Sequence, residues 1–248
     1  MESSNIVGYT SKEAQQGKFL IIGVQFEDTA SGGMKINDLT TTGVQGVNYD
    51  EGNVFKTTAA QIQVPITGGY RTYYYLNDGY YEDEGGKDAY KAGWCDGDGN
   101  IVDAEFTSGV AAWFKSVPGD GAAIVSGAVP EESLKTIECP TAFALRANTF
   151  PIAVTLNTSA MTSDDIVGVN YDEGNVFKTT AAQIQVPITG GYRTYYYLND
   201  GYYEDGGKEA YKAGWCDGDG NIVDAVIPAG QGFWTKGVSG AFTLKFAK

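Results

Sequence analysis

The sequence predicts an all-β protein made of two tandem homologous domains, residues 1–129 and 130–248, each an antiparallel β-sandwich or barrel. Three observations carry this. Residues 46–83 recur letter for letter as residues 168–205, and residues 85–104 recur as 206–225 with Asp88 replaced by Glu209. A period of about 122 residues is the size of one domain and far too long for a solenoid repeat. Short runs of alternating apolar and polar residues are separated by turns rich in Gly, Asp and Asn, the pattern of half-buried strands. No window carries a sustained 3.6-residue apolar stripe; only residues 34–39 and 162–166 read as single helical turns.

In chain order, the first unit offers strands at residues 6–10 and 19–26, then a hairpin. Gln61-Ile62-Gln63-Val64-Pro65-Ile66 alternates, Thr67-Gly68-Gly69 turns, and Tyr70-Arg71-Thr72-Tyr73-Tyr74-Tyr75 returns. Pro65 cannot donate to a ladder, which predicts an edge strand or a bulge there. Residues 90–95, 101–104, 111–116 and 122–129 complete the unit. The second unit repeats the hairpin at 183–197 and offers strands at 134–139, 150–156, 211–216, 222–226, 232–236 and 241–246. Residues 17–22 are loosely echoed by 148–153, and the charged stretch 130–133 is the natural boundary.

With 31 acidic against 17 basic residues, the net charge of -14 repels phosphate backbones and anionic surfaces, so no nucleic-acid partner is expected. Apolar runs such as residues 19–24 are strand-sized, which predicts no membrane insertion. The opening Met1-Glu2-Ser3-Ser4 has no basic and apolar leader, which fits an intracellular chain or a mature secreted one; the Tyr-, Thr-, Gly- and Asn-rich composition favours a secreted or cell-surface protein. Three cysteines cannot all pair within one chain. Three buried thiols is the simpler reading of Cys95, Cys139 and Cys216, and a bridge from Cys139 to one of the others is the alternative.

Histidine is absent, which removes Ser-His and Cys-His machinery and the imidazole ligands of zinc and copper. A glycosidase needs only two carboxylates, and Glu82 with Asp83 or Asp96 with Asp98 would supply them, but acidic residues in Gly-rich turns are usually solvated turn formers. No enzyme is expected. The run Cys95-Asp96-Gly97-Asp98-Gly99-Asn100-Ile101-Val102-Asp103 spaces oxygen side chains at alternate positions, as calcium loops do. Calcium ligands would be Asp96, Asp98, Asn100 and Asp103, repeated as Asp217, Asp219, Asn221 and Asp224. Trp94 stands where an EF-hand wants an oxygen ligand, and Val226 replaces Glu105 in the second copy, so a tight turn is the competing reading. No other cofactor is indicated. The tyrosine-rich strands suggest stacking on sugar rings through Tyr73, Tyr75, Tyr80, Tyr195, Tyr197 and Tyr202, with Arg71, Asn77 and Asp78 as polar partners; core packing is the competing use.

Taken together, Ser4-Asn5-Ile6-Val7-Gly8-Tyr9, the tyrosine hairpin, Gly93-Trp94-Cys95-Asp96-Gly97-Asp98-Gly99-Asn100 and the closing Pro228-Ala229-Gly230-Gln231-Gly232-Phe233-Trp234 resemble a β-domain of secreted proteins from Verrucomicrobia and Lentisphaerae bacteria. The resemblance covers most of both units and implies an extracytoplasmic β-protein and no more, since the family has no assigned catalytic residues to carry over. The first unit departs from it where Thr107-Ser108-Gly109-Val110-Ala111 replaces the Pro-Ala-Gly-Gln-Gly run.

These readings converge on a non-catalytic structural protein that assembles with itself head to tail, as a filament or surface layer. Residues 4–10, with Asn5, Ile6, Val7 and Tyr9, would meet a preceding subunit as residues 134–139 meet the first domain. The alternative is a bivalent glycan-binding or adhesive module using the tyrosine faces.

Overall fold

The computed structural model describes residues 7–27, 34–66, 68–102, 104–106 and 108–248. Asn5, Ile6 and Asp103 lie outside the described residues, and Val7 is placed by its backbone alone. The chain divides into two compact units, Met1–Val129 and Pro130–Lys248. Both are all-β and antiparallel.

In the first unit the strands are β1 (Val7–Ala14), β2 (Phe19–Gly23), β3 (Thr40–Thr42), β4 (Gln61–Ile66), β5 (Gly69–Glu82), β6 (Asp88–Cys95), β7 (Ala111–Lys115) and β8 (Gly121–Ala128). They form a five-stranded sheet in the order β2-β7-β4-β5-β6 and a three-stranded sheet in the order β1-β8-β3. The second unit has β9 (Leu134–Cys139), β10 (Ala144–Ala147), β11 (Val154–Thr155), β12 (Met161–Asp164), β13 (Gln183–Ile188), β14 (Gly191–Asp205), β15 (Lys208–Cys216), β16 (Val226–Ile227), β17 (Gly232–Lys236) and β18 (Phe242–Ala247). Its sheets run β10-β17-β13-β14-β15 and β12-β18-β9, the same orders, with β11 and β16 added as a short pair.

In each unit the core lies between the larger and the smaller sheet. Ile22, Ile62, Tyr73, Trp94 and Phe114 of the first unit face Ala14, Ala123 and Val125. The two units fill this space differently. Trp94 packs edge-on against Phe114 of β7, at 6.4 Å between ring centroids. On β17 the corresponding place, opposite Ile184 as Phe114 is opposite Ile62, holds Thr235. The aromatic against Trp215 there is Phe242, from the smaller sheet, at 6.0 Å. The smaller sheet of the second unit presents Phe242, Leu244 and Phe246 inward where that of the first presents Ala123 and Val125. Large and small residues have changed layers while the gap between layers stays filled, as close packing requires.

A second, smaller core covers the outer face of the larger sheet. The four-residue helix α1 (Phe55–Thr58) lays Phe55 against Leu76, Cys95 and Tyr74. Asp50 starts this turn by accepting the Val54 and Phe55 backbone N–H groups at 2.9 and 2.8 Å. Helix α2 (Phe177–Thr180) and Asp172 repeat the arrangement.

Several expectations are corrected. Residues 162–164 belong to strand β12 and 165–166 lie beyond its end, so 162–166 is not a helical turn, whereas 34–39 holds the 3-10 turn Ile36–Asp38. Of residues 150–156, only Val154–Thr155 is strand. The counterpart of β2 is β10, because β2 pairs with the strand carrying Trp113 and β10 with the strand carrying Trp234, and Phe143 meets Trp234 as Phe19 meets Trp113. Among the described residues of 101–104 no strand forms, and Ile101 makes an isolated bridge to Cys95. Strand β4 is internal, but β7 pairs only with Gln61–Gln63 on that side, so Pro65 needs no partner for its missing N–H there. Residues 7–14 pair with β8 and residues 134–139 with β18, each within its own unit.

Candidate functional site

The tyrosines divide by what covers each face of the sheet. Tyr73 and Tyr195 are core residues, 4% and 5% exposed, where no sugar ring reaches them. Tyr75 and Tyr197 are half-buried, packed edge-on against Trp94 and Trp215 at 5.3 and 5.4 Å. Simple alternation would expose Tyr74, but α1 roofs it with Phe55 at 5.3 Å. Beyond a bulge between Leu76 and Gly79, β5 and β6 continue as a two-stranded ribbon where Tyr80 meets Tyr90 at 5.9 Å. The Tyr80 hydroxyl donates to Asp88 at 3.0 Å, and that bond with burial raises its pKa. Tyr202 and Tyr211 form the same pair in the second unit. Tyr90 and Tyr211, 66% and 62% exposed, are the accessible aromatics of these ribbons. Asn77 and Asp78 are occupied within the protein: Asn77 donates to Gly46 and Asn48, and Asp78 accepts the Tyr49 N–H at 2.8 Å.

The acidic run at 96–100 is a closed turn. One carboxylate oxygen of Asp96 accepts the N–H groups of Asp98 and Asn100 at 2.9 and 3.0 Å, and the other accepts the Asn100 side-chain amide at 3.2 Å. Asp217 does the same with Asp219 and Asn221. Gly99 sits at φ +84, and a Cβ there would lie 2.6 Å from the Tyr49 ring, so only glycine fits. Asp98, Asp219 and Asp224 are exposed. Among the described residues, no three His, Cys, Asp or Glu side chains converge on a point suited to a metal.

All three cysteines are free and buried. Burial, with the negative charge of Asp96 or Asp217 next to it, pushes the Cys95 and Cys216 thiols up to about 12. Burial lifts Cys139 to about 11, partly offset by Thr235 and Arg146. At neutral pH these are packing groups rather than nucleophiles.

Two residues that sequence reasoning passed over hold the tryptophan strands. Asn37 accepts the Trp94 N–H at 2.8 Å and donates to the carbonyls of Trp94 and Val102 at 3.2 and 2.6 Å. Asn157 does this for Trp215 and Val223. Each takes the place of a neighbouring strand and closes the inner half of an edge. Neither lies in the identical repeat, so only the topology reveals them. Beside Asn157, an open cleft of about 370 Å³ is lined by Tyr197, Lys212, Ser159 and Thr162.

Among the described residues, strand β1 is the longer of the two edges of the smaller sheet in the first unit. Its register with β8 points Gly8, Thr10, Lys12 and Ala14 inward and Tyr9, Ser11 and Glu13 outward. Tyr9 is 73% exposed. Lys12 is half-buried and its pKa is lowered by that burial. Thr10 holds a buried hydroxyl with no hydrogen-bond partner among the described residues. Comparison of the chain with protein-family models, with curated proteins and with solved structures returns no match, so no site is carried over from a relative.

Proposed function

We propose that the protein is a non-catalytic structural protein of the cell exterior that assembles with copies of itself through the smaller sheet of its first unit. The observation that carries this reading is β1, an eight-residue strand that among the described residues is paired on one side only. An edge strand in that position is where a sheet meets another copy, either by adding a strand or by exchanging one. The second unit presents the corresponding edge in β9, so one chain carries two related but non-identical edges, the condition for a heterologous contact that propagates. Two of the side chains that suggested chemistry support the same reading, since Asp96 and Asp217 spend their carboxylates on backbone N–H groups. A glycan-binding surface has less support, because two of its six tyrosines are in the core.

The test is deletion of residues 1–10. Negative-stain electron microscopy of the full chain is expected to show ordered assemblies, and the deletion variant, checked for its β circular-dichroism spectrum, is expected to stay monomeric. Assembly unchanged in a folded deletion variant would reject β1 as the contact.

A further inference from the structure

We infer that β1 is an exchangeable strand: in the assembly, residues 7–14 of one copy lie on β8 of the next, in the register they hold on their own β8 in the isolated chain. This rests on the reading of the protein as self-assembling and names the contact that joins the copies.

Two modes of using the β1 edge are open, and its side chains decide between them. Adding a further strand outside β1 would build on an edge that carries an inward-pointing lysine. Lys12 lies opposite Ala123, facing the core, and among the described residues no carboxylate pairs with it. An inward charge at a sheet edge is a recognised guard against strand addition, because a new neighbour would shut the amine away from water. Replacing β1 by the same strand of another copy has no such cost, since Lys12 keeps the environment it has now.

Several features make β1 the strand that exchanges. It hands little to the core: of its four inward residues, Gly8 has no side chain, Thr10 buries a hydroxyl without a partner, Lys12 is charged and Ala14 is small. Its counterpart β9 places Ile137 and Cys139 against Leu244 and Phe242. Strand β9 is also tied at both ends by the chain, and Lys248 fastens the region by donating its amine to the Pro130 carbonyl and its N–H to Ser133 at 3.2 Å. On its C-terminal side β1 leads to β2 through residues 15–18. Among the described residues that hinge is held by Gln16 N–H to Asp120, Gly17 N–H to the Ser116 carbonyl at 2.9 Å, Lys18 N–H to the Gln15 carbonyl at 3.0 Å and the Lys18 amine to the Gln15 side chain at 2.7 Å. Opening it releases one strand and exposes one β8 edge per chain. A swap that is not reciprocal therefore passes from copy to copy and leaves an open chain of subunits.

The test places a cross-strand pair of cysteines on the outward face, Tyr9→Cys with Ser126→Cys, which are opposite each other in the β1–β8 register. Directly opposed residues of an antiparallel pair have the Cα separation a disulfide needs. The three native thiols are buried. Oxidation of the preformed assembly is expected to give a ladder of covalent multiples on a non-reducing denaturing gel. Assemblies that survive while every disulfide closes within a single chain would overturn the exchange and leave self-assembly standing. A second measurement covers a variant that fails to fold or assemble: a peptide of residues 7–14, in large excess over the unmodified protein, is expected to cap β8 and shorten the assemblies. Unchanged length distribution would overturn the exchange. Unmodified protein that stays monomeric throughout would overturn both the exchange and the reading beneath it.

Discussion

Asp96 illustrates how a single residue type admits two readings until its partners are known. Alternating oxygens in residues 95–103 are what a calcium loop shows, and also what a turn needs when one aspartate must hold several N–H groups. The bonds to Asp98 and Asn100 use Asp96 as the clasp of the turn. Asp96→Ala is therefore expected to lower stability by about 1–2 kcal/mol, the cost of leaving backbone donors without their acceptor. The loss should be equal in calcium and in chelator, and a calcium-dependent melting temperature in the parent protein would restore the cation reading. The cysteines make a second residue-scale prediction. In the unfolded chain their thiols ionise near 9.0, while Cys95 and Cys216 hold their protons in the folded state to about 12. Between those values the folded state binds more protons than the unfolded one, so these groups make stability fall as pH rises from 9 toward 12. Lys12 and Lys135, with lowered pKa values, act in the opposite direction just below 10.5. The signal is thus the difference between the parent and Cys95→Ala/Cys216→Ala: urea midpoints should fall less steeply with pH in the variant. Parallel pH profiles would contradict the buried-thiol assignment.

Among the elements, hairpins and sheet strands with strong alternation were legible, and the failures have physical causes. Strand β10 is only Ala-Leu-Arg-Ala, without β-branched or aromatic residues, and its existence depends on pairing with β17. The tyrosine alternation was read correctly as a strand but could not say which faces were covered, because the roof over Tyr74 comes from Phe55 of helix α1, outside the strand. Nor could the sequence show that the aromatic against the central tryptophan comes from β7 in one unit and β18 in the other. That exchange of layers predicts a rescue. Phe242→Ala should cost about 3–5 kcal/mol through the cavity it leaves. Thr235→Phe alone should cost about 1–3 kcal/mol by overcrowding the same space. Combined, they reproduce the arrangement of the first unit, and the double variant is expected to lose clearly less than the sum of the two in urea unfolding. Strict additivity would show that the two positions do not share that space.

At the scale of the whole molecule, the duplicated strands β4 to β6 and β13 to β15 are the constant part of the protein, and the flanking strands of the larger sheets and the smaller sheets are where the units differ. The identical block carries the tyrosine hairpin, the short helix and the closed Asp turn, all of which serve packing within a unit. The divergent part includes β1 and β9, edges of the same order in their sheets but of different composition and attachment. A chain with one releasable edge strand has polarity, and polarity is what an open head-to-tail assembly requires. The most direct measurement is sedimentation velocity on the full chain across a wide concentration range, run beside the variant lacking residues 1–10. The account predicts species well above 26.5 kDa that grow with concentration in the parent and a single monomer in the variant. A parent that sediments as one 26.5 kDa species at every concentration would contradict it.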